Sequence, residues 1–101
     1  MMTKITFTRE TDGRKGRYVA QVPGIEEAGE MTFTQRSADV FSLDHTEVPE
    51  AARGLGIAVA LAQHVIKDAR ERGQKIIPLC PFFKKYVDRH PKESADVIQN
   101  L

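Results

Sequence analysis

A single cysteine, Cys80, and no tryptophan occur in this chain of 101 residues. One thiol excludes an intramolecular disulfide, so no covalent staple can replace a hydrophobic core. The three histidines are scattered and show no HExxH spacing, and there is no CxxC pair, which argues against a metal site. Charge of one sign is missing too. Fifteen Lys and Arg against fourteen Asp and Glu leave a formal net charge of +1, so no global basic field recruits nucleic acid. No apolar run approaches the roughly 20 residues of a membrane span. Met1-Met2-Thr3-Lys4 passes into an alternating pattern without an apolar signal core. The chain reads as cytoplasmic, with neither membrane nor nucleic acid expected as a partner, and the sequence carries no sign of oligomeric state.

What is present is ordinary globular composition: 41% hydrophobic and 29% charged residues, without repeats or low-complexity tracts. Residues 1–101 read as one domain, long enough to bury roughly 60 to 70% of its unfolded surface. From Thr3 to Arg9, Ile5 and Phe7 alternate with polar residues, the period of a half-buried strand. Turn chemistry over Thr11–Gly16 leads to a second strand, Arg17 to Val22, with Tyr18, Ala20 and Val22 on one face. Met31 and Phe33 mark a third strand from about Glu30 to Arg36. Phe41 and Leu43 mark a fourth, Val40 to Val48, ended by Pro49. Four strands in short succession suggest an antiparallel meander.

The period then changes. Ile57, Ala58, Leu61, Ala62, Val65, Ile66 and Ala69 share one side of a helix running to about Arg72, with Gly73 suited to the position just past its end. Lys75–Cys80 is a short buried-strand run in which Pro78 marks a strand end or a splayed edge. A strand, crossover helix and strand make the fourth and fifth strands parallel neighbours. Pro81 opens a second helix, ended by Pro91, and the tail from Lys92 to Leu101 can add a weak last helix through Ala95, Val97 and Ile98.

Arg53-Gly54-Leu55-Gly56-Ile57-Ala58 organises the rest. Two glycines allow close backbone approach, Arg53 adds charge, and the helix start offers unpaired N–H groups, which together make an anion site. It is neither a Walker loop nor GxGxxG, because no GxxxxGK[ST] occurs and Val59 fills the third glycine position. The remaining pattern is [Q/R]-x-x-G-x-[G/A], which a plain strand-to-helix turn can also satisfy.

The order of four antiparallel strands, this loop, a helix and a parallel strand resembles motif A of the GCN5-related N-acetyltransferases, in which the loop holds the pyrophosphate of acetyl-CoA. His45-Thr46-Glu47-Val48-Pro49, Pro78-Leu79-Cys80-Pro81-Phe82 and Tyr86-Val87-Asp88-Arg89-His90-Pro91 extend the likeness to the short, roughly hundred-residue branch of that family, over about residues 3 to 93. The branch commonly continues His-Pro-Glu-aromatic, and this chain departs from it at Lys92-Glu93-Ser94. The resemblance implies an α/β fold with a mixed sheet: four antiparallel strands plus a fifth parallel one, the main helix across the sheet, and a short C-terminal helix. It implies acetyl-CoA as cosubstrate, held by Val48, Arg53, Gly54, Leu55, Gly56, Ile57 and Ala58. The activity implied is acetyl transfer to an unidentified amine. The branch lacks the helical pair with which larger members cradle the acceptor, as does this chain, so no acceptor pocket can be read.

Cys80 is the sharpest chemical candidate. Parallel strand ends bring His45 and Cys80 toward the same edge, where open α/β sheets place ligands, and the helix after Cys80 favours its thiolate. Two mechanisms follow: a Cys80 acetyl-enzyme with His45 or His90 as base, or direct attack by the acceptor with Cys80 lining the pocket. The bland alternatives are a buried, inert Cys80, a surface His45 and a His90 that merely ends its helix. His64 receives no role. Tyr86 reads as core through its ring; the resemblance implies a hydroxyl that protonates a leaving CoA thiolate, as a tyrosine often does in that family, although the motif position of Tyr86 differs. Lys84, Lys85 and Arg89 follow the strand beside the loop, solvated or meeting the 3'-phosphate of CoA. The competing reading is a non-catalytic acyl-CoA-binding module, and a third is a plain interaction domain.

Overall fold

The structure, a computed structural model, describes residues 4–99. Strands β1 (Thr6–Asp12), β2 (Lys15–Gln21), β3 (Gly29–Gln35) and β4 (Val40–Glu47) precede helix α1 (Ile57–Arg72), strand β5 (Lys75–Pro78), helix α2 (Pro81–Arg89) and a four-residue helix α3 (Pro91–Ser94). All five strands form one sheet in sequence order, β1 to β4 antiparallel and β5 parallel to β4. This is the mixed α/β architecture expected, with α1 as the crossover of the parallel pair.

Register explains where the strands end. Asp12 pairs with Lys15, so β1 runs beyond Arg9 and the predicted turn Thr11–Gly16 shrinks to Gly13 and Arg14. Gly13, at the first of two central positions, has φ +65°, the sign a II′-type hairpin needs there. Thr3, where the first strand was expected to begin, lies outside the described residues.

Cross-strand pairing also sorts the two faces. One face gathers Phe7, Tyr18, Ala20, Met31, Phe33, Phe41 and Leu43, with Ile76 from β5, and α1 lays Ile57, Leu61, Ala62, Val65, Ile66 and Ala69 onto it. Each large side chain so buried contributes about 1.5–3 kcal/mol. A Cβ at Gly16 would lie 2.3 Å from Phe33 Cζ, so only glycine lets that ring close against β2. His64 of α1 stacks on Phe7 with ring centroids 4.3 Å apart, and Tyr18 donates its hydroxyl to Asp68 at 2.7 Å. The opposite face carries Glu10, Lys15, Arg17, Glu30, Thr32, Ser42, His45 and Glu47. Helix α2 lies beside α1, its Phe82 and Tyr86 facing Val59, so both long helices cover the same face.

The ladder between β3 and β4 is broken once. Thr32 pairs with His45 but Phe33 with Leu43, leaving Asp44 as an extra residue, a β-bulge. Its carboxylate accepts from Thr34 at 2.5 Å and from Ser42 at 2.7 Å, which pins the bulge. Beyond Asp44 the strand's parity is reversed.

The tail differs from expectation. After α3 it does not continue as a helix through Ala95, Val97 and Ile98: Ile98 forms a parallel bridge to Ile76 instead. The Ile76 N–H donates to Val97 O at 2.7 Å and Ile76 O accepts from Gln99 N–H at 2.8 Å. A bare outer edge of β5 would leave these groups unpaired, and that need outweighs a weak helical pattern. Among the described residues no helix is long and apolar enough to cross a membrane.

Candidate functional site

Pairing of β4 with β5 runs from Val40–Lys75 to Leu43–Pro78 and stops. Pro78 has no N–H to carry the ladder on. Leu43 O instead accepts from both Leu79 N–H at 3.1 Å and Cys80 N–H at 2.8 Å, which turns the chain out of the sheet into α2. Past that point the strands no longer pair, which leaves a cleft-like parting between Asp44–Val48 and Leu79-Cys80, bridged at Thr46 and Cys80. Val48, half-buried and packed on the core, follows directly on the last residue of β4.

The glycine loop follows on from the end of β4. After a single 3-10 turn at Glu50–Ala52, Gly54 has φ +86° and Gly56, the N-cap of α1, has φ +74°. No side chain caps the helix, no acidic residue occupies its first turn, and the first intrahelical bond is Ala60 N–H to Gly56 O at 2.9 Å. The earlier N–H groups thus lack intrahelical acceptors, at the positive end of a 16-residue dipole. A Cβ at either glycine would meet no protein atom within 4 Å, so the space before the helix is open. Arg53, Gly54, Leu55 and Gly56 are exposed, Ala58 half-buried and Ile57 buried in the core.

Some apolar residues on these segments are unusual in being uncovered. Among the described residues, the exposed large hydrophobic side chains are Leu55, Val59, Leu79 and Phe82, from the loop, the first turn of α1, the end of β5 and the first turn of α2. Between the helices runs a groove of about 180 Å³ lined by Val59, Phe82, Lys85, Tyr86, Arg89 and His90. Lys85 and Arg89, one turn apart, supply its positive charge. Lys84 does not line it; its ammonium binds Asp88 at 2.7 Å, the i,i+4 pair of a solvated helix face.

Cys80 is buried, 2% exposed, and its Sγ shares a hydrogen bond of 3.1 Å with Thr46 Oγ1. The residue meeting Cys80 is thus Thr46, not the expected His45. The cause is the bulge: an unbroken alternation from Phe41 and Leu43 would aim His45 inward, but the extra Asp44 turns Thr46 toward the cleft and His45 outward, opposite Thr32. His90 is also far from the thiol. It caps the C-terminal end of α2, ten residues on from Cys80, or about 15 Å along a helix. Neither histidine is placed to take a proton from Cys80. His90 instead lies against the Tyr86 ring, centroids 4.3 Å apart. The Tyr86 hydroxyl donates to Glu93 at 2.9 Å, and burial, then Glu93, pushes its pKa up. No group of three or more His, Cys, Asp or Glu side chains capable of holding a metal occurs among the described residues.

A family model described as GCN5-related N-acetyl-transferase matches residues 17–97. Protein NATD1 of Homo sapiens is 30% identical over 82 residues, covering 81% of this chain and 73% of that protein. The Gallus gallus counterpart is 29% identical, with 81% and 74% covered. A GCN5-like protein of Staphylococcus aureus solved by NMR superposes with a TM-score of 0.62 at 23% identity, over 93% of this chain and 89% of that one.

Proposed function

Because the chain belongs to the GCN5-related N-acetyltransferase family, we propose that it binds acetyl-CoA in the cleft between β4 and β5 and transfers the acetyl group directly to an amine. One observation carries this reading: the parallel β4–β5 ladder parts at Leu43 and Pro78, and β4 leads on into an uncapped, glycine-led helix start. That pairing joins an anion seat to a slot.

The residues fit the ligand's chemistry. Unpaired N–H groups at the start of α1, with Arg53 nearby, suit a pyrophosphate. Leu55, Val59, Leu79 and Phe82 supply apolar surface for the pantetheine and adenine portions, and Lys85 and Arg89 suit a terminal phosphate. Lys84 is left out of that set by its bond to Asp88. Acetyl-CoA, when bound, supplies an acyl group activated as a thioester. The chain's contribution is to hold it against β4 and to keep water out with buried side chains. In this reading Cys80 lines the pocket, oriented by Thr46, because neither histidine serves it as a base. The cytoplasm remains the proposed location.

Calorimetric titration with CoA and acetyl-CoA, followed by a thiol-release assay over a panel of amines, tests the proposal. Binding with turnover is expected. Absence of CoA binding sinks the cofactor assignment, and binding without turnover on any amine leaves the non-catalytic acyl-CoA module standing.

A further inference from the structure

We infer that the outer edge of β1 is where two copies of this chain join, β1 of one lying antiparallel to β1 of the other about a two-fold axis at Phe7. The sheet has two edges, and the chain treats them differently. That of β5 is covered by the tail through the Ile98 bridge. Along Thr6–Asp12, no strand or bridge among the described residues takes the outer side. Edge strands are commonly guarded by a proline, a bulge or an unengaged inward charge. This one has no proline, its pairing with β2 runs without a bulge, and Arg9 is turned back over the Phe33 ring, 4.8 Å from the centroid.

The hairpin fixes which backbone groups are free. A two-residue turn hydrogen-bonds its flanking residues to each other, here Asp12 and Lys15. By alternation Glu10, Thr8 and Thr6 also turn their N–H and C=O toward β2. Thr11, Arg9, Phe7 and the preceding Ile5 turn theirs outward. In an antiparallel pair centred on Phe7, the two Phe7 residues bond each other and Ile5 of each copy bonds Arg9 of the other, about six hydrogen bonds in all.

Side chains select that register. Centring on Arg9 or Glu10 sets like charges directly opposite each other, and centring on Thr8 sets the two Arg9 side chains on a diagonal. Centring on Phe7 sets Phe7 opposite Phe7, Thr6 opposite Thr8, and exposed Lys4 opposite exposed Glu10, which are aromatic, threonine and opposite-charge pairs of the stabilising kinds. The helix-bearing side of this edge is also unfilled. A groove of about 470 Å³ runs there along Ile5, Phe7, Ala60, Gln63, His64 and Lys67, with Phe7 half-buried against the His64 ring. Phe7 of the second copy lies on the same face and covers it, and the two-fold makes the exchange mutual. A strand pair with two such grooves is a small interface, below about 1,200 Å², so the dimer should dissociate on dilution. It joins the edges farthest in strand order from the β4–β5 parting, and the inference stands whether or not the chain binds CoA.

Sedimentation of the full chain from micromolar to millimolar protein tests this, and a reversible monomer–dimer equilibrium is expected. Lys4→Glu and Glu10→Lys should each weaken the dimer about tenfold or more, and the double variant should restore it to within about threefold, because the opposite pair is re-formed with its signs exchanged. A monomer at every concentration leaves the edge to an extended segment of some other molecule and overturns the proposal. A dimer indifferent to both single variants, or one the double variant does not restore, overturns it as well. Amide exchange reads the same interface without substitution. As concentration rises, exchange at Phe7 and Arg9 should slow while Thr8 and Glu10, already bonded to β2, keep their rates. Slowing at neither set, or at both alike, refutes the pairing.

Discussion

Replacing Gly56 by alanine separates two effects that a single variant would confound, because Gly73 provides a matched control. Both glycines flank α1 in the left-handed region, at φ +74° and +69°, and a Cβ at either meets no protein atom within 4 Å. The folded-state cost of each substitution is therefore backbone strain alone, about 1–2 kcal/mol. Each kcal/mol lowers Tm by about 4–8 °C in a domain of this size. The two sites lie at opposite ends of a 16-residue helix, about 24 Å apart. Gly56 borders the open space before the first N–H groups, so a methyl there also obstructs an anion and removes one charge-assisted hydrogen bond, about 1.5–3 kcal/mol. Gly56→Ala should thus weaken CoA binding roughly tenfold to hundredfold, and Gly73→Ala should leave it unchanged at a similar loss of Tm. Calorimetry and thermal melts on both variants read this directly. Equal CoA affinity in Gly56→Ala and wild type, or equal weakening in both variants, would refute the assignment of the loop as the phosphate seat.

Three further outcomes are expected. Cys80→Ala should keep turnover within about threefold, and intact mass after incubation with acetyl-CoA should show no adduct that depends on Cys80; a stable adduct lost in the variant would restore the acetyl-enzyme route. Gly16→Ala should cost about 1–3 kcal/mol by overpacking, since its Cβ would lie 2.3 Å from Phe33 Cζ and 2.8 Å from Glu10 O, and an unchanged urea midpoint would contradict that packing. Burial lowers the His64 pKa, so the unfolded chain takes up a proton more readily and stability should fall as pH drops through the usual histidine range near 6.5. His64→Phe should flatten the fall in Tm between pH 7.5 and 5.5, and an equally steep variant would show that His64 does not set it.

Much of the fold is legible because its elements obey simple periods. Tyr18, Ala20 and Val22 alternate onto one face and all three are buried, and the run from Ile57 to Ala69 buries the side that its 3.6-residue spacing marks. Pro81 and Gly73 punctuate α2 and α1 where their backbone constraints require, and Pro78 ends β5. The bulge is different. Val40–Glu47 reads as an even alternation, and the hydrogen bonds that hold Asp44 out of register come from Thr34 on another strand, a tertiary fact without local trace. One missed residue moved the expected Cys80 partner from His45 to Thr46. The idle state of Lys84 was accessible, since Asp88 stands four positions on; the role of the tail was not, because it answers an edge formed by a distant strand.

The parting of β4 and β5 has a consequence for how the molecule assembles. The β1–β4 meander is built from neighbours in sequence, whose contacts close short loops, whereas β5 must cross over a 16-residue helix before it can join. The cleft lies at that late junction. A chain that has folded only its meander has one wall of the site and none of the other, so a ligand held between the walls selects molecules in which β5 has docked. Cofactor concentration should then act on this last event, slowing the release of β5 while leaving the closure of the first hairpin untouched.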